Sequence, residues 1–229
     1  MSKVPNFEPI IILFCKEIQK DNPDIEMLET LIDRLSEEDT LKITKIYLSN
    51  KQIQSIPNNI GKLVNLQELD CHNNNITELP DSICNLTNLQ HINLRYNKII
   101  RLPDGIVNCQ KLMILDIDNN NITKLPERIG ELSNLQQLYC CNNNITELPD
   151  SICNLTNLQN LYVNSNKITI LPDNIGNLKN LVQLCLSNNN IYVLPNSVKN
   201  LEELQYFYYD KYRIAGIIPN NINNIINQV

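Results

Sequence analysis

Hydrophobic and polar residues follow one pattern along most of the chain, and this pattern repeats every 23 residues. Residues 66–88 show it as L-x-x-L-x-L-x-x-N-x-I-x-x-L-P-x-x-I-x-x-L-x-N, with Cys71 at the third apolar position. Repeats of this length form solenoids, in which each unit buries its apolar side only against its neighbours. We therefore expect one elongated domain. The proline of the pattern recurs at Pro57, Pro80, Pro103, Pro126, Pro149, Pro172 and Pro195.

Each unit predicts a strand, a tight turn and a return segment. The first, fourth and sixth positions are apolar, as in Leu112, Leu115 and Ile117, and predict the core side of a parallel strand. The proline after the turn fixes φ and begins the return segment, whose apolar residues recur every three positions. That spacing favours short 3₁₀ or irregular helices over long α-helices. The fold class is α/β, a solenoid with a curved parallel sheet on its concave face and short helices on its convex face.

An asparagine occupies the turn after the strand in the six central units. Buried turns need partners for their backbone N–H and C=O groups, and an amide side chain offers both donors and an acceptor. We expect a structural ladder of stacked asparagines, while Lys51 and Tyr212 replace the asparagine in the first and eighth units and mark them as ends. The ladder residues are Asn74, Asn97, Asn120, Asn143, Asn166 and Asn189.

The chain divides into three parts by this pattern. Residues 41–203 hold seven repeats, and residues 204–229 hold a degenerate eighth repeat with a C-terminal cap. Residues 1–40 lie outside the pattern and predict two amphipathic helices, the second of them capped at Asn22-Pro23-Asp24 with Pro23 at its first helical position. We interpret residues 1–40 as a helical N-terminal cap over the core of the first repeat. The alternative is that these helices dock a second protein while the repeats present a client.

Charge and cysteine content restrict the class of partner and the compartment. The net charge is -6 and there is no basic run, which argues against nucleic acid and against an anionic membrane surface. We expect no signal peptide and no membrane-spanning segment. Two of the eight cysteines, Cys71 and Cys140, fill core positions three strands apart, beyond the reach of a disulfide. We predict eight free thiols and a reducing, cytoplasmic location.

The 23-residue units resemble the cytoplasmic leucine-rich repeats of the Ras-group type. The resemblance covers residues 43–218 and depends on the framework L-x-x-L-x-L-x-x-N-x-I-x-x-L-P-x-x-I-x-x-L. The version rich in Asn and Ile also resembles repeat proteins of giant viruses and amoebae. The resemblance implies binding of a protein partner on the concave face, a role in intracellular signalling, no cofactor and no catalysis. It does not identify a Ras partner, because no residue beyond the framework can be matched.

Strand residues outside the core positions should face the concave side, where equal positions of neighbouring units form rows. Tyrosine is enriched in interface cores because it buries a large area and keeps a polar tip. We therefore predict a protein-binding surface with Tyr139 and Tyr162 as adjacent anchors. Its polarity would come from Arg95, Asp116, Asp118 and His72, and the remaining candidates are His91, Tyr96 and Tyr208.

An internal copy supports this surface. Residues 73–90 and 142–159 are identical over 18 positions, 69 residues apart. Concave positions flanking the identical run differ between the two blocks, whereas the exposed convex positions match. Asp70, His72 and Asn93 correspond to Tyr139, Cys141 and Tyr162 in the copy. We interpret the difference as diversification of the concave side for a ligand. The alternative is a copying boundary that falls at the edge of the strand.

Catalytic and metal-binding arrangements are not predicted. His72 and His91 lie on adjacent strands but about 13 Å out of step, which is too far apart to share a zinc ion. Asp116 and Asp118 on one strand face could act as an acid–base pair only in a cleft shielded from water, which an open sheet does not supply. There is no glycine-rich phosphate loop. We predict no enzyme activity, no metal, no cofactor and no small-molecule substrate.

Overall fold

The computed structural model describes residues 9–210 of the 229-residue chain. Tyr212 and most of the predicted C-terminal cap lie outside the described residues. Eight parallel strands follow one another in chain order within a single curved sheet, which confirms the predicted fold class. The strands are Lys45–Tyr47 (β1), Glu68–Asp70 (β2), His91–Asn93 (β3), Ile114–Asp116 (β4), Gln137–Tyr139 (β5), Asn160–Tyr162 (β6), Gln183–Cys185 (β7) and Tyr206–Tyr208 (β8).

The 23-residue period becomes the register of this sheet. Leu69 of β2 pairs with Ile92 of β3, and Leu115 of β4 pairs with Leu138 of β5, so equal positions of successive units lie side by side. The middle residue of every strand is buried and the two residues beside it point to the open face. The apolar positions therefore stack into one continuous core, and the polar positions stack into rows on the concave face.

The return segments form 3₁₀ helices on the convex side. Pro80 precedes one of them, and its carbonyl accepts a hydrogen bond of 3.0 Å from the Ile83 N–H, while Ile83 itself is fully buried. Adjacent return segments pack closely, since a Cβ atom on Gly130 would lie 1.8 Å from the carbonyl oxygen of Ser151. The helices are Ile60–Lys62, Asp81–Asn85, Asp104–Asn108, Ile129–Glu131, Asp150–Asn154, Ile175–Asn177 and Asn196–Asn200.

The buried asparagines connect each turn to the unit before it. The Asn97 Nδ2 group donates to the carbonyls of Cys71 and Leu94, both at 2.9 Å, and its Oδ1 accepts from the Ile76 N–H at 3.0 Å. Asn120 makes the equivalent bonds one unit later. The Leu94 carbonyl accepts from both Asn97 and Asn120, so the amides of successive units together supply partners to buried backbone groups that the core would otherwise leave without any.

Three α-helices precede the sheet: α1 (Ile10–Gln19), α2 (Ile25–Arg34) and α3 (Glu37–Lys42). Asp24 caps α2 by accepting a hydrogen bond from the Met27 N–H, so the helix begins at Ile25, and Pro23 precedes it instead of taking the predicted first helical position. Helix α3 was missed because six residues are too few to show an apolar period. The available signal was the N-cap Ser36, whose hydroxyl accepts from the Asp39 N–H.

Helix α2 uses both of its faces. Its apolar stripe is buried at Leu28 and Ile32, and its acidic residues contact the first return segment. Asp33 forms an ion pair of 2.7 Å with Lys62, and Glu29 accepts a hydrogen bond of 2.6 Å from the backbone of Asn58. These contacts attach the helices to the end of the solenoid.

Candidate protein-binding surface

Two tyrosines lie at the middle of the concave face. Tyr139 and Tyr162 are register partners in β5 and β6, and their rings stack with centroids 5.1 Å apart and an interplanar angle of 17°. The Tyr139 hydroxyl donates to the Gln137 side chain at 2.8 Å, and the Tyr162 hydroxyl donates to the side chain of Gln183. Both rings are half-buried, and this desolvation raises the pKa of each phenol. The pair is a neutral, oriented aromatic surface.

Two carboxylates lie beside the tyrosines. Asp116 is the β4 register partner of Tyr139, and Asp118 follows two residues later. The Asp116 Oδ1 accepts from the Asp118 N–H at 3.1 Å, and the Asp118 Oδ1 accepts from the Cys141 N–H. Burial raises the pKa of Asp116, and burial together with the neighbouring Asp116 charge raises the pKa of Asp118 to about 6. We call Asp116, Asp118, Tyr139 and Tyr162 the central concave site.

The charged residues nearer the N-terminal end mostly have partners. Lys45 and Glu68 form an ion pair of 2.7 Å, which holds the pKa of Glu68 below its usual value, and half-buried His91 adds a smaller effect in the same direction. The His72 Nδ1 atom lies 2.7 Å from the carboxylate of Asp70 on its own strand. The two histidines therefore belong to separate local contacts, and neither lies in the central concave site.

Arg95 and Tyr96 form a second feature at the rim. The Arg95 guanidinium lies 5.6 Å from the centroid of the Tyr96 ring, and 51% of Tyr96 is exposed. Tyr96 has a left-handed backbone with φ of 55°, which a bulky side chain seldom adopts. The equivalent residues Asn119 and Asn142 have the same backbone but tolerate it more easily. A tyrosine at a position where Asn119 and Asn142 stand in other units is the sequence signal for this strain.

The structure separates some predicted site residues from the centre. Tyr208 is half-buried in β8 and pairs in register with Cys185, which stands between it and Tyr162. Cys141, which the sequence placed on the concave face, is only 8% exposed, and its thiol donates to the Asn164 Oδ1 at 2.7 Å. It forms part of the floor of the surface, as its small, weakly polar side chain permits.

Residues 9–210 contain no group of three His, Cys, Asp or Glu side chains that could hold a metal ion. All eight cysteines are free thiols, and no helix in this range is long and apolar enough to cross a bilayer. A cavity of about 690 Å³ lies away from Tyr139 and Tyr162, between α1 and the edge strand β1. Its walls include Ile11, Phe14, Ile18 and Tyr47.

Comparison with known protein families gives the class of the chain. The family described as leucine-rich repeat region matches residues 39–117 and 109–169, and a second one, described as leucine rich repeat, matches residues 180–201. The first matches more than half of the chain. The chain therefore belongs to the leucine-rich repeat family. No protein among the curated sequences matches it.

Solved structures with the same fold come from bacteria and plants. An internalin, inlF, from Listeria monocytogenes is 25% identical with a TM-score of 0.74, and the match covers 92% of this chain and 63% of that one. The plant peptide hormone receptor RGFR1, solved in complex with RGF2, is 27% identical with a TM-score of 0.60, over 76% of this chain and 33% of that one. Internalin C2 from Listeria monocytogenes shares the fold. It is 23% identical with a TM-score of 0.73, and the match covers 100% of this chain and 97% of that one. The chain thus spans about three fifths of inlF and one third of RGFR1.

Proposed function

We propose that the chain is a non-enzymatic scaffold that binds a protein partner on its concave face, with Tyr139 and Tyr162 as the anchors. The observation that carries the proposal is the stacked tyrosine pair, held half-buried on an open sheet with no element of residues 9–210 covering it. Their hydroxyls are held by glutamines, so little rotamer freedom remains to be lost when a partner binds. Oriented aromatic residues at the centre of a surface are typical of binding hot spots.

The internal copy supports the same face. The concave residues Asp70 and Asn93 have become Tyr139 and Tyr162 in the copied block, and these two now stack on each other. The core positions between them kept apolar residues, so the change altered the surface and left the packing as it was. RGFR1, which shares the fold, was solved in complex with RGF2, and a bound partner is in keeping with this proposal.

The charge and the thiols suggest where such a scaffold works. A net charge of -6 argues against nucleic acid and anionic membranes as the partner, as the sequence already indicated. Eight free cysteines, most of them buried in the core, favour a reducing compartment. We therefore propose a cytoplasmic protein of the Ras-group repeat type that acts in intracellular signalling.

Replacement of both anchors tests the proposal. A chain with Tyr139→Ala and Tyr162→Ala should recover its specific partners from crosslinked cells of the source organism at one tenth of the normal yield or less. Tyr192→Ala is the matched control, since Tyr192 is 60% exposed and lies outside the concave strands. Circular dichroism would show that all variants are folded. Undiminished recovery of the same partners by the double variant would contradict the anchor assignment.

A second function, an adaptor docked through its N-terminal helices, is favoured by the cavity between α1 and β1. Tyr47 lines that cavity and is 48% exposed, and the apolar residues Ile11 and Ile18 face it. If the helices dock a second protein, Tyr47→Ala should lower the yield of a partner that the Tyr139 and Tyr162 variant still recovers. If the helices are only a cap, Tyr47→Ala should recover every partner.

A further inference from the structure

The charges of the concave face are not balanced within the chain. Lys45 pairs with Glu68, and His72 lies against Asp70, but no ion pair in residues 9–210 involves Asp116 or Asp118. Arg95 lies near enough to attract both carboxylates weakly, yet its guanidinium is placed by the Tyr96 ring. Two adjacent, half-buried carboxylates thus lack a cation in the centre of the proposed binding face.

The negative charge of these residues is not needed to form the fold. Asn93, one strand before Asp116 in the same row, accepts a hydrogen bond from the Arg95 N–H at 3.3 Å. Asp116 accepts the equivalent bond from the Asp118 N–H at 3.1 Å. A neutral amide therefore does the same structural work as the Asp116 carboxylate, and an amide oxygen in place of the Asp118 carboxylate could accept the bond from the Cys141 N–H. Two neighbouring carboxylates removed from water repel each other and lose hydration, so the charges oppose folding.

We infer that the partner inserts an arginine side chain of an exposed peptide segment between the Asp116 and Asp118 carboxylates and the ring of Tyr139. This inference rests on the proposed concave binding function and specifies its partner. Register pairing places Asp116 and Tyr139 on neighbouring strands, about 4.8 Å apart. Asp118 lies two residues beyond the end of β4, about 7 Å away. Two carboxylates and a ring edge therefore lie side by side on the concave face.

Arginine fits this group of side chains better than other cations. A planar guanidinium can donate two parallel hydrogen bonds to a carboxylate and stack on an aromatic ring at the same time. A lysine ammonium would satisfy the charge but could not stack in the same way. A metal ion would need a third ligand, and among residues 9–210 Asp116 and Asp118 belong to no group of three His, Cys, Asp or Glu side chains that could hold one.

A peptide selection with matched replacements tests the inference. A phage library of random 12-residue peptides is selected against the full chain, and peptides whose binding depends on Tyr139 and Tyr162 are synthesised. Each is made again with lysine or with citrulline, the neutral isostere of arginine, in place of each arginine. We expect the peptides to carry an arginine whose change to citrulline weakens binding at least tenfold.

A double-mutant cycle then locates the arginine. The double variant Asp116→Asn and Asp118→Asn should bind the arginine peptide at least tenfold more weakly and should bind the citrulline peptide with unchanged affinity. Arg95→Gln should strengthen binding of the arginine peptide, because the substitution removes a nearby competing cation. The Arg95 variant keeps the inference testable if the double carboxylate variant does not fold.

The outcomes separate this inference from the proposed function. Tyrosine-dependent peptides that bind equally well with citrulline would overturn the arginine site and leave the concave function standing. Equal binding with lysine and arginine would overturn the assignment of a guanidinium. If every selected peptide binds the tyrosine variant and the carboxylate variant as tightly as the unchanged chain, both the arginine site and the concave binding function are wrong.

Discussion

Asp118 offers the sharpest test of the physical reasoning, because its charge should weaken the fold. Asp118→Asn removes the charge and keeps an Oδ1 atom that can accept the hydrogen bond from the Cys141 N–H. Three groups act on the Asp118 carboxylate: Asp116 at the end of β4, Cys141 just after β5 and Arg95 just after β3. Since the negative Asp116 acts more strongly on Asp118 than Arg95 does, we expect the neutral variant to be more stable at pH 7.

The magnitude follows from the pKa. The pKa of Asp118 is raised to about 6 from an ordinary value of 3.8. Each pKa unit corresponds to about 1.4 kcal/mol, so the charged form is disfavoured by at most about 3 kcal/mol in the folded chain. Solvent reaches part of the side chain and screens the charge, which reduces the expected gain for Asp118→Asn to about 1–2 kcal/mol at pH 7.

The sign of the pH dependence is the reverse of the usual carboxylate case. Between pH 4 and pH 6 the folded chain holds a proton on Asp118 that the unfolded chain releases. The wild-type chain therefore gains stability from this group as pH falls through 6, and it loses that contribution as pH rises. The advantage of the Asn variant should be full at pH 7 and should disappear near pH 4.

Urea unfolding of both chains at pH 4.0, 5.5 and 7.0, followed by circular dichroism, measures this difference. The difference between the two chains removes the pH dependence that comes from the carboxylates they share. Asp173→Asn, at an exposed position of a return segment, is the control and should change stability at no pH. An Asp118→Asn chain that is less stable than wild type at pH 7, or a difference that does not vary with pH, would refute the account of a desolvated and unpaired charge.

Two further predictions concern the turns. Asn120→Ala should lower the free energy of unfolding by about 1–3 kcal/mol, because it leaves the buried Ile99 N–H without its partner and removes one of the two amide donors to the carbonyls of Leu94 and Ile117. In the same urea series the exposed Asn121→Ala should change it little, and equal effects of the two variants would contradict the ladder. Tyr96→Asn should raise stability by about 0.5 kcal/mol in thermal unfolding, because relief of about 1–2 kcal/mol of backbone strain exceeds a lost cation–π contact of about 0.5–1 kcal/mol. A loss of stability there would contradict the strain.

The fold could be predicted from the sequence because one short pattern recurs in every unit and predicts the same structure each time. Each unit repeats the apolar strand positions, the turn asparagine and the proline, so a misread residue in one unit is corrected by the others. The short convex helices followed from the spacing of three between Ile83, Leu86 and Leu89. Helix α3 was missed because it occurs once, outside the repeat, and its local signals, the cap at Ser36, the acidic first turn and Lys42 in the last turn, form no apolar period.

The site was predictable as a set of rows but not as a set of contacts. Register places Tyr139 next to Tyr162 and Asp116 next to Tyr139, and the period alone gives those neighbours. Stacking of the rings, the burial of Cys141 and the pairing of His72 with Asp70 depend on side-chain rotamers. Periodicity contains no information about rotamers, so these contacts had to come from the structure.

The solenoid separates what stabilises the chain from what it recognises, and the central concave site shows how far that separation extends. Stability resides in the stacked apolar positions and in the asparagine amides, which are nearly the same in every unit. A concave residue can therefore change without affecting the core, as the tyrosines of the copied block show. A surface free to vary in this way has no structural reason to hold two adjacent, half-buried negative charges, since Asn93 shows that an amide suffices in place of Asp116 and an amide oxygen could accept the hydrogen bond that Asp118 accepts. Their presence is most simply explained by a cation that arrives with the partner, because an incoming arginine would convert a charge that opposes folding into one that favours binding.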